Sequence, residues 1–492
     1  MKRGRLMGLL LAGMLVLATS CSEDRVVAPS LETGGGDFAR GTLDPQLAAQ
    51  ELVAASGWEL DPSELLADKA VAPGPEAQAS CLVSAERIPL LGDIVHYRYR
   101  IRVGSGPYDV IGLHRVVKET RPYRPLRTNN TVFLLHGDAV PFEPKFLFGY
   151  TAPNVPDEQA AAIYLAQGGV DVWGIDQAWT LVPVEATDFA FMRDWGLRHE
   201  VETLRVGLAV ARFTRALTGS GFGRMNLLGY SSGAITGYAY LNMETQVPSA
   251  LRHVKGYVSA DCPMKTDDET MRSNACAYVA LYQGMIDSGS FQDTGGILFK
   301  TVGELAATLP DDPSPIIPGF TNMQAALYFG AVTYGLQPFT AWYHYVAGEF
   351  DADGMPVGLA YTAVPGFLDF IQGAAPYEPA RFILDYLLAL CDETDVPWDD
   401  HLSAVTVPVL YLGAAGGVGT AGVYNTSLLA STDVSVELVR LHPEGDETLD
   451  VGHIDLWTAA NAEGLFWQPL LEWLQAHVAS VDAKGTVDAQ QD

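Results

Sequence analysis

The chain has 492 residues, 48% of them hydrophobic, and a formal net charge of −29 at pH 7. That composition supports a large buried core, and the acidic excess excludes nucleic acid as a partner because phosphate backbones would be repelled. The charge carries no mechanistic message beyond the solubility of an exposed surface.

In chain order, the first feature is a leader. Lys2, Arg3 and Arg5 precede an apolar run from Leu6 to Leu17, the pattern of a secretory signal and too short for a membrane span. Ala18-Thr19-Ser20-Cys21 resembles a bacterial lipobox, which implies that Cys21 becomes the first mature residue, carries lipid and anchors the chain to a membrane. Ser22 then points to the outer membrane. Ala18 stands where leucine is usual, so ordinary cleavage after a small residue is the alternative, giving a periplasmic or extracellular protein. Four other cysteines, Cys81, Cys262, Cys276 and Cys391, form an even set suited to an oxidising compartment. Cys262 with Cys276 closes the shortest loop and is the expected bridge, leaving Cys81 for Cys391; free buried thiols are the alternative. No Cys or His spacing resembles a zinc site, and no metal or cofactor is expected.

Residues 22–80 are rich in Ala, Gly, Pro and acidic residues and read as a flexible tether with at most a short helix over 45–55. Two alternating runs, 94–103 and 108–117, predict an antiparallel edge hairpin. Continuous apolar runs at 131–135, 169–175, 225–229, 254–260, 407–412 and 435–441 predict strands buried on both faces. Helical patterns separate most of them, notably at 197–217 and 233–243. Alternation of this kind gives a mostly parallel, doubly wound α/β sheet. Residues 81–262 and 405–480 therefore form the core, and 263–404, far longer than an ordinary loop, is an insertion before the penultimate strand, expected to be a large helical cap. Its aromatic segments (328–335, 339–345 and 367–370) would mostly fill its own interior, yet together they favour a hydrophobic substrate. The tail, 481–492, is polar and expected to be disordered.

Within this frame, Met225-Asn-Leu-Leu-Gly229 runs into Gly229-Tyr230-Ser231-Ser232-Gly233 and then a small-residue helix, the order strand, G-x-S-x-G, helix. Glycine is needed on both flanks because the turn is too tight for side chains, and the serine stands at a helix N-terminus that favours a developing oxyanion. Upstream, a strand ends in His136-Gly137. Downstream, His453 in Asp450-Val-Gly-His-Ile-Asp455 precedes the last helices. With these three motifs in this order, residues 94–479 resemble the α/β-hydrolase superfamily, most closely its acid-lipase and esterase branch.

The resemblance implies a serine nucleophile, Ser231, activated by His453, and an oxyanion hole from the backbone N–H of Ser232 with that of Asp138 or Ala139. His136 is expected to shape its loop, and Tyr230 and Trp173 to pack near the site. Trp457, Trp467 and Trp473 fit the buried face of the last helical segment. The acid departs from the commonest pattern, because the strand at 407–413 runs into Ala414-Ala-Gly-Gly-Val-Gly-Thr420 without a carboxylate. Asp261, at the end of the preceding strand, is the leading candidate, and Asp433 the alternative. Asp450 and Asp455 sit too near His453 in sequence to orient it, although Asp455 can cap the final helix; Asp176 reads as structural. The expected reaction is hydrolysis of carboxylic esters with a hydrophobic acyl group, small-molecule or lipid. An amidase, peptidase or polyester depolymerase would use the same residues, and the missing acid leaves room for a non-catalytic lipid-binding lipoprotein.

Overall fold

The computed structural model describes residues 44–57, 81–336 and 339–478. The signal segment with Cys21, most of the expected tether and the polar tail lie outside the described residues. Among those described, no helix is long and apolar enough to cross a membrane.

One mixed sheet organises the molecule. Its main strands are β1 (Leu82–Pro89), β2 (Ile94–Arg102), β3 (Val110–Arg121), β4 (Thr131–Leu135), β5 (Asp171–Asp176), β6 (Met225–Tyr230), β7 (Val254–Ala260), β8 (Val409–Ala414) and β9 (Val434–Val439), in the order β1-β2-β3-β5-β4-β6-β7-β8-β9. From β5 to β9 every neighbouring pair is parallel; β1, β2 and β3 add an antiparallel edge. The hairpin expected at 94–117 is therefore part of a three-stranded meander, and its third member, β1, alternates too weakly in hydropathy to be read in advance.

The continuous apolar runs are explained by two cores. Phe133, Leu135, Trp173, Ile175 and Leu227 face one side of the sheet, and Val132, Leu134, Val172, Leu228 and Val258 the other, as the two-residue period of a strand requires. On the first side lie α1 (Pro45–Ser56), α3 (Leu197–Leu217) and α4 (Ser232–Thr245). On the second lie α2 (Ala161–Gln167) and the C-terminal segment, where Trp457, Trp467 and Trp473 are all buried. The last strand differs from expectation. β9 is a sheet edge with Val434 and Val436 exposed, so only one side of it is covered.

The tether reading also needs correction over α1. Ala48, Leu52 and Val53 are buried in the first core, Ser56 Oγ lies 2.6 Å from the Tyr99 hydroxyl, and the Leu82 N–H donates to Glu51 Oε2 at 2.8 Å. Asp44 caps the helix and Gly57 ends it in the left-handed region. A helix of this length is marginal by itself; burial of its Ala48/Leu52 stripe holds it against the body. Deeper in the same region Asp171 accepts two hydrogen bonds from Arg115, both 2.8 Å, and one from Arg215 at 3.1 Å. This buried cluster joins β3, β5 and α3.

Between β7 and β8 the insertion forms α5 (Glu269–Asp287), α6 (Gly295–Thr308), α7 (Asn322–Ala331), α8 (Val364–Gln372) and α9 (Ala380–Cys391). Its apolar interior is continuous with Ala139, Val140, Val418 and Ile454 from loops at the C-terminal ends of the strands. Helices α5 and α9 pack together and are joined by a Cys276–Cys391 disulfide, with Cα atoms 4.8 Å apart. The expected pairing is thus wrong: Cys262 and Cys81 are free. Sequence proximity favoured Cys262, but that residue ends a strand beside the site, whereas Cys276 sits on a helix face turned toward α9. The chain closes with α10 (Gln468–Ala476).

Candidate active site

β6 ends at Tyr230 and α4 starts at Ser232, leaving one residue for the turn. Ser231 takes it with φ 57° and ψ −133°, a conformation that L-residues adopt at a cost and that surrounding structure must enforce. The enforcement is close backbone contact. A Cβ on Gly229 would meet Gly233 O at 2.3 Å, and one on Gly233 would meet His136 O at 2.3 Å. Gly137 completes the arrangement, since a Cβ there would lie 2.4 Å from Ser231 Cβ. The glycines of the two motifs thus let the ends of β4 and β6 and the start of α4 approach closely enough to lift Ser231 into a cavity.

That cavity, of about 230 Å³, is lined by Ser231, Ser232, Asp138, Ala139 and His453 together with side chains of the insertion. Ser232 opens α4, so its N–H has no carbonyl one turn earlier. Among the described residues no backbone carbonyl accepts from the Asp138 or Ala139 amide, and Ala139 has a positive φ of 57°. These N–H groups are in place to receive a negative oxygen. His136 shapes the loop as expected: it is buried, Nδ1 lies 2.7 Å from Gly137 O, and Nε2 accepts from the Gln177 N–H at 3.2 Å. Burial, reinforced by Lys145, pushes its pKa down to about 4, so it is a neutral hydrogen-bonding strut.

His453 Nδ1 lies 2.7 Å from Asp261 Oδ2, and Asp261 is fully buried. The glycine-rich segment after β8 supplies the partners of this acid: Ala414 N–H donates to Oδ1 at 3.1 Å and Val418 N–H to Oδ2 at 3.2 Å. The segment that lacks a carboxylate therefore receives one from the neighbouring strand. Gly417 makes room for it, since a Cβ there would stand 2.1 Å from Asp261 Oδ2. Asp433 lies away from this pair. It belongs to the opposite, N-terminal end of β8 and β9, where its carbonyl accepts from Val409 N–H and its side chain pairs with His477.

The remaining sequence candidates are structural. Asp450 accepts from the N–H groups of Leu441, His442 and Val451. Asp455 does not cap α10; its carboxylate accepts from Gly452 N–H, Ala347 N–H and the Thr362 hydroxyl and so ties the insertion to the histidine loop. Asp176 holds Phe142 N–H and His114. Trp173 lies under the Arg115 guanidinium, in the first core. Tyr230 packs face to face with His453, centroids 4.6 Å apart, and donates its hydroxyl hydrogen bond to His453 O at 2.9 Å.

Of the aromatics in the three segments singled out in the sequence, Phe339, Tyr343, Tyr345 and Phe370 line the cavity, while Phe367 fills the insertion's interior. Lys145, Asp293, Glu378 and Tyr386 also line it, and nothing in the sequence marks them. They belong to no motif and converge only in space.

No family model matches the sequence, and no curated protein matches it. Among solved structures, a candidate lipase from Sulfolobus solfataricus aligns with a TM-score of 0.55 at 20% identity, over 80% of this chain and 99% of that one. The fold is that of the α/β-hydrolases. A monoglyceride lipase from Saccharomyces cerevisiae aligns with a TM-score of 0.38 at 12% identity, over 83% of this chain and 100% of that one. An esterase from Thermogutta terrifontis gives 0.35 at 14%, over 77% and 99%. At 20% identity the first of these likenesses is one of fold. An α/β-hydrolase fold carries many chemistries, so the activity must be argued from the side chains.

Proposed function

We propose that the chain is a serine hydrolase that cleaves carboxylic esters with a hydrophobic acyl group. The observation that carries this reading is the buried Asp261–His453 pair, whose histidine lines the same cavity as a serine held at positive φ between two motif glycines. Asp261 holds Nδ1 of His453 as the donor, which leaves Nε2 to take the proton of Ser231 as the hydroxyl attacks the ester carbonyl. The N–H of Ser232 and that of Asp138 or Ala139 stabilise the oxyanion; His453 returns the proton to the leaving alcohol, and water repeats the cycle on the acyl-enzyme. The aromatic and aliphatic lining contributed by Phe339, Tyr343, Phe370, Ile383 and Leu387 suits an apolar acyl chain.

The test is fluorophosphonate labelling together with hydrolysis of p-nitrophenyl esters from acetate to palmitate. The wild-type chain is expected to be labelled at Ser231 and to prefer acyl chains longer than acetate, and Ser231→Ala to lose both label and turnover. An unlabelled wild-type protein, inert toward every ester, would overturn the reading.

The same proposal places the protein outside the cytoplasm, anchored through lipid on Cys21. The Cys276–Cys391 disulfide supports export, because such bridges persist in oxidising compartments. Loss of metabolic fatty-acid labelling in Cys21→Ser is the expected result; equal labelling would remove the anchor.

A further inference from the structure

The cavity has a second chemical character. Opposite its apolar wall, three carboxyl groups converge: Asp138 from the oxyanion loop, and Asp293 and Glu378, which face each other across a two-residue antiparallel ribbon of the insertion. Glu378 is only 7% exposed, and its side chain hydrogen-bonds to another carboxyl, Asp138; among the described residues no N–H or O–H donor reaches Glu378 Oε1 or Asp138 Oδ1. Two buried carboxyls joined only by a shared proton are poorly served beside a pair that meets a cationic donor. The neighbours that are present serve Asp293, whose Oδ1 accepts from the Gly295 N–H at 2.6 Å, better than they serve Asp138 and Glu378. Tyr386 reaches Asp138 Oδ2 at 3.4 Å, and Tyr282 donates to Asp293 Oδ2 at 3.0 Å. Lys145 feels Asp138 and Glu378 electrostatically, but its ammonium is seated over the Tyr230 ring, 4.5 Å from the centroid. Burial, and then Asp138, push the Glu378 carboxyl well above its usual range.

Aromatic rings complete the lining here. Tyr278, Tyr282, Phe299, Tyr345 and Tyr386 bound the same cavity, and carboxyl groups together with aromatic rings are surroundings that favour an organic cation. Neutral hydroxyls would be served by the same acceptors, but they gain nothing from the rings or from the negative charge.

We propose that Asp138, Asp293 and Glu378 form a subsite for an alkylammonium group, so that the preferred ester carries an amine on one of its chains. This inference rests on the ester-hydrolase reading for its place in catalysis, yet the subsite can be tested without turnover. The wild-type full chain is titrated calorimetrically, near neutral pH, with hexylammonium, 1-hexanol and hexanoate, which share an apolar tail and differ only in the head. A charge-assisted hydrogen bond predicts that hexylammonium binds about tenfold or more tightly than 1-hexanol, with hexanoate weakest. That preference is expected to fall to within about threefold in Glu378→Gln and in Asp293→Asn, two variants on different strands of the ribbon, so that poor folding of either one leaves the other informative. Equal binding of hexylammonium and 1-hexanol, or tightest binding of hexanoate, which would make Lys145 the recognising group, overturns the proposal. None of the probes is an ester, so ammonium selectivity in a protein without esterase activity would remove the chemistry and leave the subsite standing.

Discussion

Two buried carboxyl groups near Ser231 are treated in opposite ways. Asp261 belongs to the core and is surrounded by donors: the His453 imidazole and the amides of Ala414 and Val418. Glu378 belongs to the insertion, meets two other carboxyls and, among the described residues, has no N–H or O–H donor at its Oε1. The contrast teaches how one fold divides its labour. Under the proposed function, the acid that orients the histidine is held by fixed backbone dipoles, whereas the acid proposed for recognition is left with few donors.

The sharpest way to break this comparison is Asp261→Asn. With the carboxylate gone, His453 loses the partner that fixes its tautomer, and kcat is expected to fall about 10³- to 10⁴-fold with little change in KM. Asp433→Asn, at the other end of β8 and β9, is expected to leave kcat unchanged; a large loss there instead would transfer the acid's role and undo the assignment.

Removing the disulfide acts on the other side of the comparison. Cys276 and Cys391 fasten α5 to α9, the helices that carry Tyr282 and Tyr386, across 115 residues of sequence. Cys276→Ser with Cys391→Ser is expected to cost about 2–4 kcal/mol, chiefly through the freedom regained by the unfolded chain. Because Asp261 and His453 are held by the core, KM for long-chain esters should rise more than kcat falls. A kcat loss equal to that of Asp261→Asn would show that the two regions are not separable.

A finer probe is Gly417→Ala. The added methyl would occupy the space of Asp261 Oδ2, so either the carboxylate or the loop must shift. A displacement of that size is expected to reduce kcat about 10²-fold while thermal unfolding stays close to wild type, and restored activity in the presence of imidazole would locate the damage at His453. Unchanged kcat would mean that the glycine loop does not position the acid.

The core half of this contrast was legible in the sequence and the insertion half largely was not, for reasons visible in particular residues. Gly229, Ser231, Gly233 and Gly137 lie in two short segments because steric conflict at one backbone crossing dictates them, and local necessity leaves a local pattern. Strands β4 to β8 could be read because burial on both faces makes them continuously apolar. Asp261 was identifiable only as the better of two carboxylates, since its partners Ala414 and Val418 contribute backbone amides, which any residue possesses. α1 was recognised as a helix but not as a docked one, because its four buried apolar residues, Ala48, Ala49, Leu52 and Val53, do not announce what they pack against. Glu378, Asp293 and Lys145 left no trace at all. Their meeting depends on how far apart stretches of the insertion cross, and the mistaken disulfide pairing has the same origin.

Lys145 offers the most delicate test. Its ammonium is almost fully buried, and burial pulls its pKa down from 10.5 to about 7 despite the opposing pull of Asp138 and Glu378. Below about pH 7 the folded protein must keep a buried charge, at its full cost. Between there and pH 10.5 the unfolded chain holds a proton that the folded one has shed, so stability from this group rises with pH across that window. Lys145→Met removes the titration and the cation over Tyr230 together, and the lost ring contact offsets part of the gain. The variant is therefore expected to melt roughly 2 °C or more above wild type at pH 6, an effect of about 1 kcal/mol, with the difference shrinking toward pH 10. The carboxyl cluster is common to both proteins, so to first order the difference belongs to Lys145. A melting difference that grows with pH would mean that the lysine is a firmly charged partner of Asp138 and Glu378, and the recognition wall would then already be neutralised from within.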